Sequence, residues 1–342
     1  MRQLACALIG ALLAAAPALG NDTMSTLGAG GLVFIETDDI RMVREDLYLS
    51  PDEVRVKYEF RNDTDADSDA LVAFPMPDIT GSGDFMVAVP TQDPENIFGF
   101  ETRVNGEPVE AVLHQYAFAT NIDYTDYLRQ LGVPLTPYGE ATQTAINALP
   151  DATRQELLRR GLVIPMEYDA GKGPQTDYVP VWTLRSTYSW DAHFPAGETV
   201  TVEHSYTPSV GGTVAVTFLA PPYEGYDPAS EYRKKYCIDE SFINAVKKTL
   251  PSPDEPYGAP FTESWLSYIW STGANWAGPI GTFHLTIDKG RPENLVSFCW
   301  DGEVKKTGPT TFEMEAEDWW PPYGRELDVL ILDRQEPQRT GG

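Results

Sequence analysis

A single short stretch, VRVKYEF, constrains the fold more than any other part of the sequence. Apolar and charged residues alternate there at every position from 54 to 60. Successive side chains of a strand point to opposite faces, so this period of two predicts a strand with one buried face. The segment LVAFPMP (71–77) is the predicted partner of that strand. The beginning of the chain therefore indicates a β-rich fold.

Further strands follow the same pattern. Asn105-Gly106 lies between two alternating runs and predicts a tight hairpin. Alternate positions from 182 to 190 share one face of a strand. A turn at 195–197 leads to another alternating run at 200–206, so the two runs are predicted to form a hairpin. Four more strands are predicted near the C-terminus, at 283–287, 295–300, 311–315 and 327–332.

Helical patterns interrupt the strands in two places. Tyr124, Tyr127 and Leu128 begin a set at helical spacing within residues 122–161, and Asp151 is predicted to cap a helix there. A loose linker, YDAGKGPQTDY (168–178), is expected to follow. Asp239 is predicted to cap a later helix that ends before Pro251.

These patterns predict a mainly β, α+β architecture. We expect a β-sandwich domain at 21–213 with a helical insertion at about 120–177. A smaller, disulfide-closed β-rich domain with one helix is expected at 214–334, followed by a disordered tail at 335–342.

The N-terminal segment MRQLACALIGALLAAAPALG predicts export. Arg2 precedes an apolar run, and the small-residue pattern Ala18-Leu19-Gly20 is typical of a signal-peptide cleavage site. Cleavage after Gly20 would make Asn21 the first residue. Cys6 does not follow the apolar run, so lipidation is not expected. No later stretch reaches the ~20 apolar residues of a membrane span, so the mature chain is expected not to insert into a membrane and to be periplasmic or secreted.

The composition is strongly acidic, with 51 acidic and 25 basic residues and a formal net charge of -26. Binding to nucleic acid or to anionic lipid depends on Lys and Arg, so neither partner is expected. An acidic surface is a sufficient explanation for the charge, since it keeps an exported protein in solution.

Two cysteines, Cys237 and Cys299, remain after signal cleavage. In an oxidising compartment a pair of this kind favours a disulfide over a reactive thiol. Closing a loop of this length would stabilise the fold by roughly 4 kcal/mol in the chain-entropy model.

Alternating aspartates, Asp63, Asp65, Asp67 and Asp69, are the sharpest chemical signal in the chain. An EF-hand loop needs glycine at its sixth position and glutamate at its twelfth, but Ser68 and Phe74 stand there when the loop starts at Asp63. The preferred interpretation is an acidic hairpin connection, and a looser calcium loop is the alternative.

Catalytic patterns are not found in the sequence. The four histidines form no HExxH or HxxH motif, and His204 continues an apolar face, which favours a structural, hydrogen-bonded role. No nucleophile elbow, phosphate loop or dinucleotide motif appears, and no cofactor or resident metal is expected.

Aromatic residues cluster in the second half of the chain. The candidate recognition surface lies in two loop-like segments and comprises Trp270, Asn275, Trp276, Trp319 and Trp320. Exposed aromatics beside Asn and Asp could stack on sugars or grip a protein partner, whereas the alternative is that they fill a small core.

Six stretches occur in order along the chain: GGLVF, IRMVREDLYLSPDEVRVKYEFRN, VAFPMPD, YSWDAHFPAGETVTVEHSYTPSVGG, TGANWAGPIGTFHLTIDK and SFCWDG. Together they resemble a bacterial exported family known as domain of unknown function 4424. That resemblance implies export and a shared fold, and no particular reaction. Residues 40–113 are also similar to the vault protein inter-α-trypsin module, a β-sandwich interaction scaffold.

The expected function is binding or scaffolding in the periplasm, with an unknown envelope protein or glycan as partner. One competing hypothesis is a hydrolase of envelope polysaccharide or peptide that uses an Asp/Glu pair. Another is a calcium-dependent adhesion module.

Overall fold

The computed structural model of the chain describes residues 21–335, except 29–30, 84–85, 88–89, 91–92, 94–95, 170, 172, 224 and 253–254. The predicted signal peptide (1–20) lies outside the described residues, as does the predicted disordered tail (335–342) except for residue 335.

The chain is mostly β, as the sequence pattern predicted. In chain order its strands are β1 (Thr23–Gly28), β2 (Gly31–Ile35), β3 (Ile40–Leu49), β4 (Val54–Asn62), β5 (Ser68–Pro75), β6 (Ile79–Thr80), β7 (Met86–Val87), β8 (Glu101–Val104), β9 (Glu107–Val109), β10 (Val112–Ala119), β11 (Ile122–Asp123), β12 (Val163–Asp169), β13 (Pro174–Pro180), β14 (Thr183–Phe194), β15 (Thr199–Tyr206), β16 (Gly211–Thr213), β17 (Phe261–Tyr268), β18 (Ile280–Asp288), β19 (Leu295–Phe298), β20 (Lys305–Lys306), β21 (Thr311–Trp319) and β22 (Leu327–Arg334). The α-helices are α1 (Thr125–Gln130), α2 (Glu140–Ala148), α3 (Asp151–Arg159), α4 (Pro228–Tyr236) and α5 (Glu240–Lys247), and short 3-10 helices lie at Thr217–Leu219 and Ser271–Asn275.

Three sheets surround the main core. Sheet I has the order β11-β10-β14-β5-β1-β2, with β6 also paired to β14. Sheet II has the order β20-β21-β18-β3-β4-β15-β8-β9, and sheet III has the order β19-β22-β17-β16-β7. Strands β12 and β13 form a separate antiparallel hairpin.

Sheet II packs its apolar face against both other sheets. The alternation in β4 is confirmed, because Val54, Val56, Tyr58 and Phe60 are all buried. Phe60 contacts Phe194 of sheet I with ring centroids 6.1 Å apart, and the Tyr58 hydroxyl lies 2.9 Å from that of Tyr268 in sheet III. This face-to-face arrangement of sheets is the predicted β-sandwich.

Sheet II combines strands from both halves of the chain. Strand β18 pairs in parallel with β3, so that Leu285 lies opposite Leu47. Trp276 also packs on Phe60, with ring centroids 4.3 Å apart. Residues from both sides of position 213 therefore share a sheet and a core. A smaller apolar cluster under α4 and α5, which includes Phe218, belongs to the second half alone.

Two predicted strand pairings are wrong. Strand β4 pairs with β3 and β15, whereas β5 pairs with β14 and β1. Strand β14 likewise lies in sheet I, and β15 lies in sheet II. The acidic segment 62–70 and the turn at 195–197 are therefore crossings between sheets and not hairpin turns. By contrast, Asn105 and Gly106 form the predicted two-residue turn between β8 and β9, with φ of 51° and 83°.

The helical insertion carries α1, α2 and α3 as predicted, with its own apolar cluster around Leu128, Leu157 and Trp182. The predicted linker at 168–178 is instead part of the β12–β13 hairpin. Asp151 is the first residue of α3 and does not cap it, because the extended Pro150 holds the cap position. Asp239 does cap α5, where its carboxylate accepts from the backbone N–H of Phe242 at 2.7 Å.

Candidate functional site

The residues predicted for recognition separate into buried and exposed groups. Trp270 and Trp276 are buried, and their indole N–H groups donate to the backbone oxygens of Arg325 (2.7 Å) and Asp22 (2.6 Å). Both rings belong to the core, so they offer no surface to a partner. Asn275 is half-buried and donates to the hydroxyl of Thr23 at 3.0 Å.

The second tryptophan pair, Trp319 and Trp320, has one half-buried and one exposed ring. Trp319 is half-buried and stacks on Phe283, with ring centroids 4.1 Å apart. Trp320 is 54% exposed, and Tyr323, three residues later in the chain, is fully exposed. Of the five residues proposed from the sequence, Trp320 alone presents most of its ring to solvent.

The four aspartates of the acidic crossing point in different directions. Asp63 pairs with Arg41 (3.0 Å) and Arg61 (2.7 Å), and these guanidinium groups hold the pKa of its carboxyl below the ordinary value. Asp67 and Asp69 instead flank His193, and Asp65 is exposed. Over residues 21–335, apart from the gaps given above, no three acidic, histidine or cysteine side chains are grouped closely enough to hold a metal ion.

The predicted disulfide is present. Cys237 and Cys299 are bonded, with Cα atoms 5.1 Å apart and a sequence separation of 62. The bond joins the C-terminal end of α4 to the segment that follows β19. It thereby fastens α4, which forms one side of a large cleft, to the sheet beneath it.

That cleft has a volume of about 750 Å³ and opens between the residues after β5, strands β16 and β17, and helix α4. Its aromatic lining consists of Tyr223, Tyr226, Tyr232, Tyr236, Tyr257 and Trp265. Tyr223 is 62% exposed and Tyr257 is 59% exposed, so both rings are open to solvent at the rim. Ser, Thr and Lys side chains, among them Lys235, complete the wall. We call this feature the tyrosine cleft.

A buried carboxylate fixes two of the cleft's aromatic rings. Glu263 accepts hydrogen bonds from the hydroxyl of Tyr232 (2.5 Å) and the indole N–H of Trp265 (3.0 Å). The backbone N–H of Thr217 also donates to it, at 2.6 Å. Burial raises the pKa of Glu263, and these donors partly offset that rise. The carboxylate therefore orients the wall of the cleft and is not available as a free group within it.

Glycine at position 211 makes room for one of these rings. A Cβ at Gly211 would lie 3.1 Å from Cε3 of Trp265, which is tighter than ordinary contact. The indole can therefore lie close against strand β16, and its edge faces the cleft.

The carboxylates at the cleft surface are already paired. Asp78 lies 3.2 Å from Arg185, and burial raises the pKa of Asp78 although Arg185 lowers it. Glu231 pairs with Lys234 at 2.7 Å. The cleft is therefore suited to holding a ligand between aromatic faces and polar side chains.

Sequence reasoning did not find this cleft. The tyrosines of PPYEGY and the residue at 257 lie in Pro- and Gly-marked loops, the same signal that was used for the tryptophan segments. Local sequence does not separate the two sets of aromatic residues. In the structure Trp270 and Trp276 are buried, whereas Tyr223 and Tyr257 are exposed.

Comparisons with known proteins give a family and weak fold likenesses. A solved structure of a Legionella pneumophila protein, provisionally described as a nutrient-binding protein, is 13% identical with a TM-score of 0.46, covering 92% of this chain and 70% of that one. A two-domain M1 zinc metallopeptidase mutant bound to L-tryptophan is 9% identical with a TM-score of 0.26, covering 87% of this chain and 44% of that one. A Deinococcus radiodurans M1 zinc metallopeptidase mutant bound to a Tyr-Ser-Ala substrate is 8% identical with a TM-score of 0.25, covering 87% of this chain and 43% of that one.

At these scores the three structures carry no argument about ligand or activity. This chain spans less than half the length of either metallopeptidase. A comparison with curated proteins gives no match. In the described part of the chain, no helix combines the length and the apolar character that crossing a membrane requires.

The family profile of the domain of unknown function DUF4424 matches residues 20–330. The family resemblance seen in the sequence is thereby confirmed, and this chain belongs to the DUF4424 family.

Proposed function

We propose that this protein is exported to the periplasm and there binds a saccharide of the cell envelope in the tyrosine cleft, without catalysing a reaction. The observation that carries the proposal is the exposure of Tyr223 and Tyr257 at the rim of a cleft of about 750 Å³. Exposed rings around a concave, partly polar surface are typical of a binding site.

The chemistry of the lining favours a saccharide. Aromatic rings pack well on the apolar face of a sugar, and hydroxyl and amine groups hydrogen-bond to its edge. Thr217 and Lys235 lie in the same wall as the tyrosines, so both kinds of contact are within reach of one ligand. The disulfide and the predicted signal peptide support an oxidising location outside the cytoplasm.

Calorimetric titration tests the proposal. The probes are an oligomer of β-1,4-linked N-acetylglucosamine, a disaccharide-peptide fragment of peptidoglycan, and maltotetraose as a neutral comparison. Tyr223→Ala and Tyr257→Ala should each weaken the binding of at least one probe by about tenfold, the worth of one aromatic contact. Tyr168→Ala, which removes an exposed ring of β12 outside the cleft, is the matched control.

Three other results would redirect the assignment. If the cleft variants bind every probe as the unaltered protein does, the saccharide proposal fails. If a bound oligomer is shortened during the titration, the competing hydrolase hypothesis gains support, with Asp78 and Glu231 as the first carboxylates to replace. If Trp320→Ala alone abolishes binding, the surface beside Tyr323 is the recognition site and not the tyrosine cleft.

A further inference from the structure

Asn21 is buried in a pocket that recognises its whole side chain. The side-chain amide of Asn21 donates to Oε2 of Glu45 at 2.9 Å, and its carbonyl oxygen accepts from the hydroxyls of Tyr58 and Tyr268. Glu45, Tyr58, Tyr268, Thr272 and Gly273 surround it, and we call this set the Asn21 pocket.

The main chain of Asn21 is held as well. Its backbone N–H donates to Oγ1 of Thr272. The same hydroxyl donates to the backbone carbonyl oxygen of Asn21 at 2.6 Å. A Cβ at position 273 would lie 2.8 Å from Nδ2 of Asn21, so only glycine fits there. Asn21 is therefore bound by side chains from both sheet II and sheet III.

Asp22 extends the buried network. Its backbone oxygen accepts from the indole of Trp276, and its Oδ1 lies 2.9 Å from Nε2 of His204. The other carboxylate oxygen, Oδ2, is buried and has no hydrogen-bond partner among the described residues. A buried acceptor without a donor is costly, which indicates that a donor is missing from this place.

The charges of the pocket are also unbalanced. Glu45 and Asp22 are both fully buried, and His204 is the nearby side chain that can carry a positive charge. Even with His204 protonated, one carboxylate would lack a counter-charge. In the part of the chain that the structure describes, no lysine or arginine pairs with Glu45, and its donors are the neutral Asn21 amide and Tyr268 hydroxyl. Buried charges without partners are strongly unfavourable.

We propose that the missing cation is the α-ammonium group of Asn21 itself, created by cleavage of the Gly20–Asn21 peptide bond and held by Glu45 and Asp22. In this step an export signal peptidase adds water across the amide. The carbonyl of Gly20 leaves as a carboxylate, and the nitrogen stays on Asn21 as an ammonium.

The pocket is built to receive such a group. An ammonium has three donors where the amide has one, so the bond to Thr272 can be kept while two donors become available to carboxylates. The side-chain amide of Asn21 contacts the Glu45 carboxylate at 2.9 Å, so the residue that would carry the ammonium already lies against that group. Processing would thus supply both the counter-charge for Glu45 and a donor for Asp22. The inference rests on the export part of the proposed function.

Four purified proteins test the inference. One begins at Asn21, released from an N-terminal fusion that leaves no extra residue, and a second carries one additional glycine before Asn21. Each is made both with Glu45 and with the Glu45→Gln substitution. With Glu45 present, the added glycine should lower the Tm by roughly 5 °C, the range expected for a disrupted buried pair in a domain of this size. In the Glu45→Gln background the glycine should matter much less, because the two changes remove the same interaction.

A chemical readout separates ion pairing from packing. In the folded Asn21-first protein, reductive methylation at neutral pH should modify the N-terminal amine at least about tenfold more slowly than in urea, since a paired, buried ammonium holds its proton. Glu59→Gln is the matched control: it replaces a carboxylate on the opposite face of β4 from Tyr58 and should leave the rate unchanged.

The inference is overturned if the added glycine lowers the Tm equally with and without the Glu45→Gln substitution, or if the amine reacts at the same rate folded and unfolded. Intact-mass measurement on protein secreted from a bacterial host supplies the last arm. A mature chain that begins elsewhere than Asn21 rejects this inference and leaves saccharide binding intact. Retention of the full chain in the cytoplasm instead rejects the export on which both proposals rest.

Discussion

Tyr58 and Tyr268 meet hydroxyl to hydroxyl, 2.9 Å apart, at the point where sheet II faces sheet III. Both hydroxyls also lie within hydrogen-bond distance of the side-chain oxygen of Asn21. Burial raises the pKa of each tyrosine well above its ordinary value, so both remain protonated donors wherever the protein is folded. This polar contact within the apolar core therefore connects sheets II and III to Asn21.

Removing one of these hydroxyls should destabilise the fold. Tyr268→Phe removes the one hydroxyl that lies within hydrogen-bond distance of both Asn21 and Glu45, and we expect a loss of about 1–3 kcal/mol, the cost of leaving a buried acceptor unsatisfied. Urea denaturation measures it. Tyr206→Phe is the control, because this tyrosine is buried in the same core, whereas the hydroxyls that lie against Asn21 and Glu45 belong to Tyr58 and Tyr268, and a larger loss in that control would contradict the explanation.

The disulfide should contribute strongly to stability. The Cys237–Cys299 bond closes a loop with a sequence separation of 62, which corresponds to about 4 kcal/mol in the chain-entropy model. Reduction, or replacement of both cysteines by serine, should lower the urea midpoint and loosen α4. If the double variant kept its stability but lost saccharide binding, the bond would serve the cleft and not the fold.

Asn62 should be the residue that anchors the acidic crossing. Its buried amide donates to the backbone oxygens of Phe194 (2.9 Å) and Ala66 (2.8 Å), and its oxygen accepts from the N–H of Thr64. Asn62→Ala should therefore cost about 2 kcal/mol or more in unfolding experiments. Asp65→Ala, in the same crossing but exposed, should change stability by no more than about 0.5 kcal/mol.

This crossing shows what the sequence could and could not predict. The period of two in β4 identified the strand and its buried face, because alternation depends only on local geometry. The same alternation contains no information about which strand pairs with β4. In a sandwich the chain can turn back within one sheet or cross to the other, and both need a polar connection of similar length. Asn62 stabilises the crossing to the other sheet by donating to the backbone oxygen of Phe194, a residue more than a hundred positions away in the chain.

The candidate site was missed for a related reason. Aromatic residues in loop-like segments were correctly recognised as unusual, yet the local sequence around Trp270 does not differ in kind from that around Tyr223. Trp270 is buried where the backbone oxygen of Arg325 and the ring of Trp319 contact it, and these contacts come from the distant strand β21 and the loop that follows it. Strand existence was predictable, whereas exposure of individual rings followed from how three sheets pack.

The aspartates of the crossing should act on a histidine. The carboxylate of Asp69 lies 2.7 Å from Nδ1 of His193 and raises the pKa of that imidazole, whereas burial lowers the pKa of His114. NMR titration should therefore find His193 above and His114 below the ordinary value of 6.5. Asp69→Asn should lower the pKa of His193 and leave that of His114 unchanged.

The hypothesis of a calcium loop makes a different prediction, namely a rise in Tm at millimolar calcium that Asp65→Ala abolishes.

Glu45 should give the protein an unusual dependence on pH when its N-terminus is blocked. Burial is the largest cause that raises its pKa, from an ordinary 4.5 to about 8, with Asp22 and Asp46 adding to the rise and the donors Asn21 and Tyr268 opposing it. Between these two pH values the folded state holds a proton on Glu45 that the unfolded state has lost. The contribution of Glu45 to the free energy of unfolding is therefore fully present below pH 4.5 and is lost as the pH rises towards 8. In the glycine-extended protein, stability should fall between about pH 5 and pH 8 by on the order of a few kcal/mol.

Glu45→Gln should flatten that fall, since the variant has no proton to lose. The protein that begins at Asn21 should show a smaller decline than the glycine-extended one, because an α-ammonium favours the ionised carboxylate and lowers the folded-state pKa of Glu45. Urea midpoints at about pH 5, 6.5 and 8 for the same four proteins measure both effects. Parallel curves for all four would mean that Glu45 keeps one charge state throughout, and that some other group balances the buried network around Asn21.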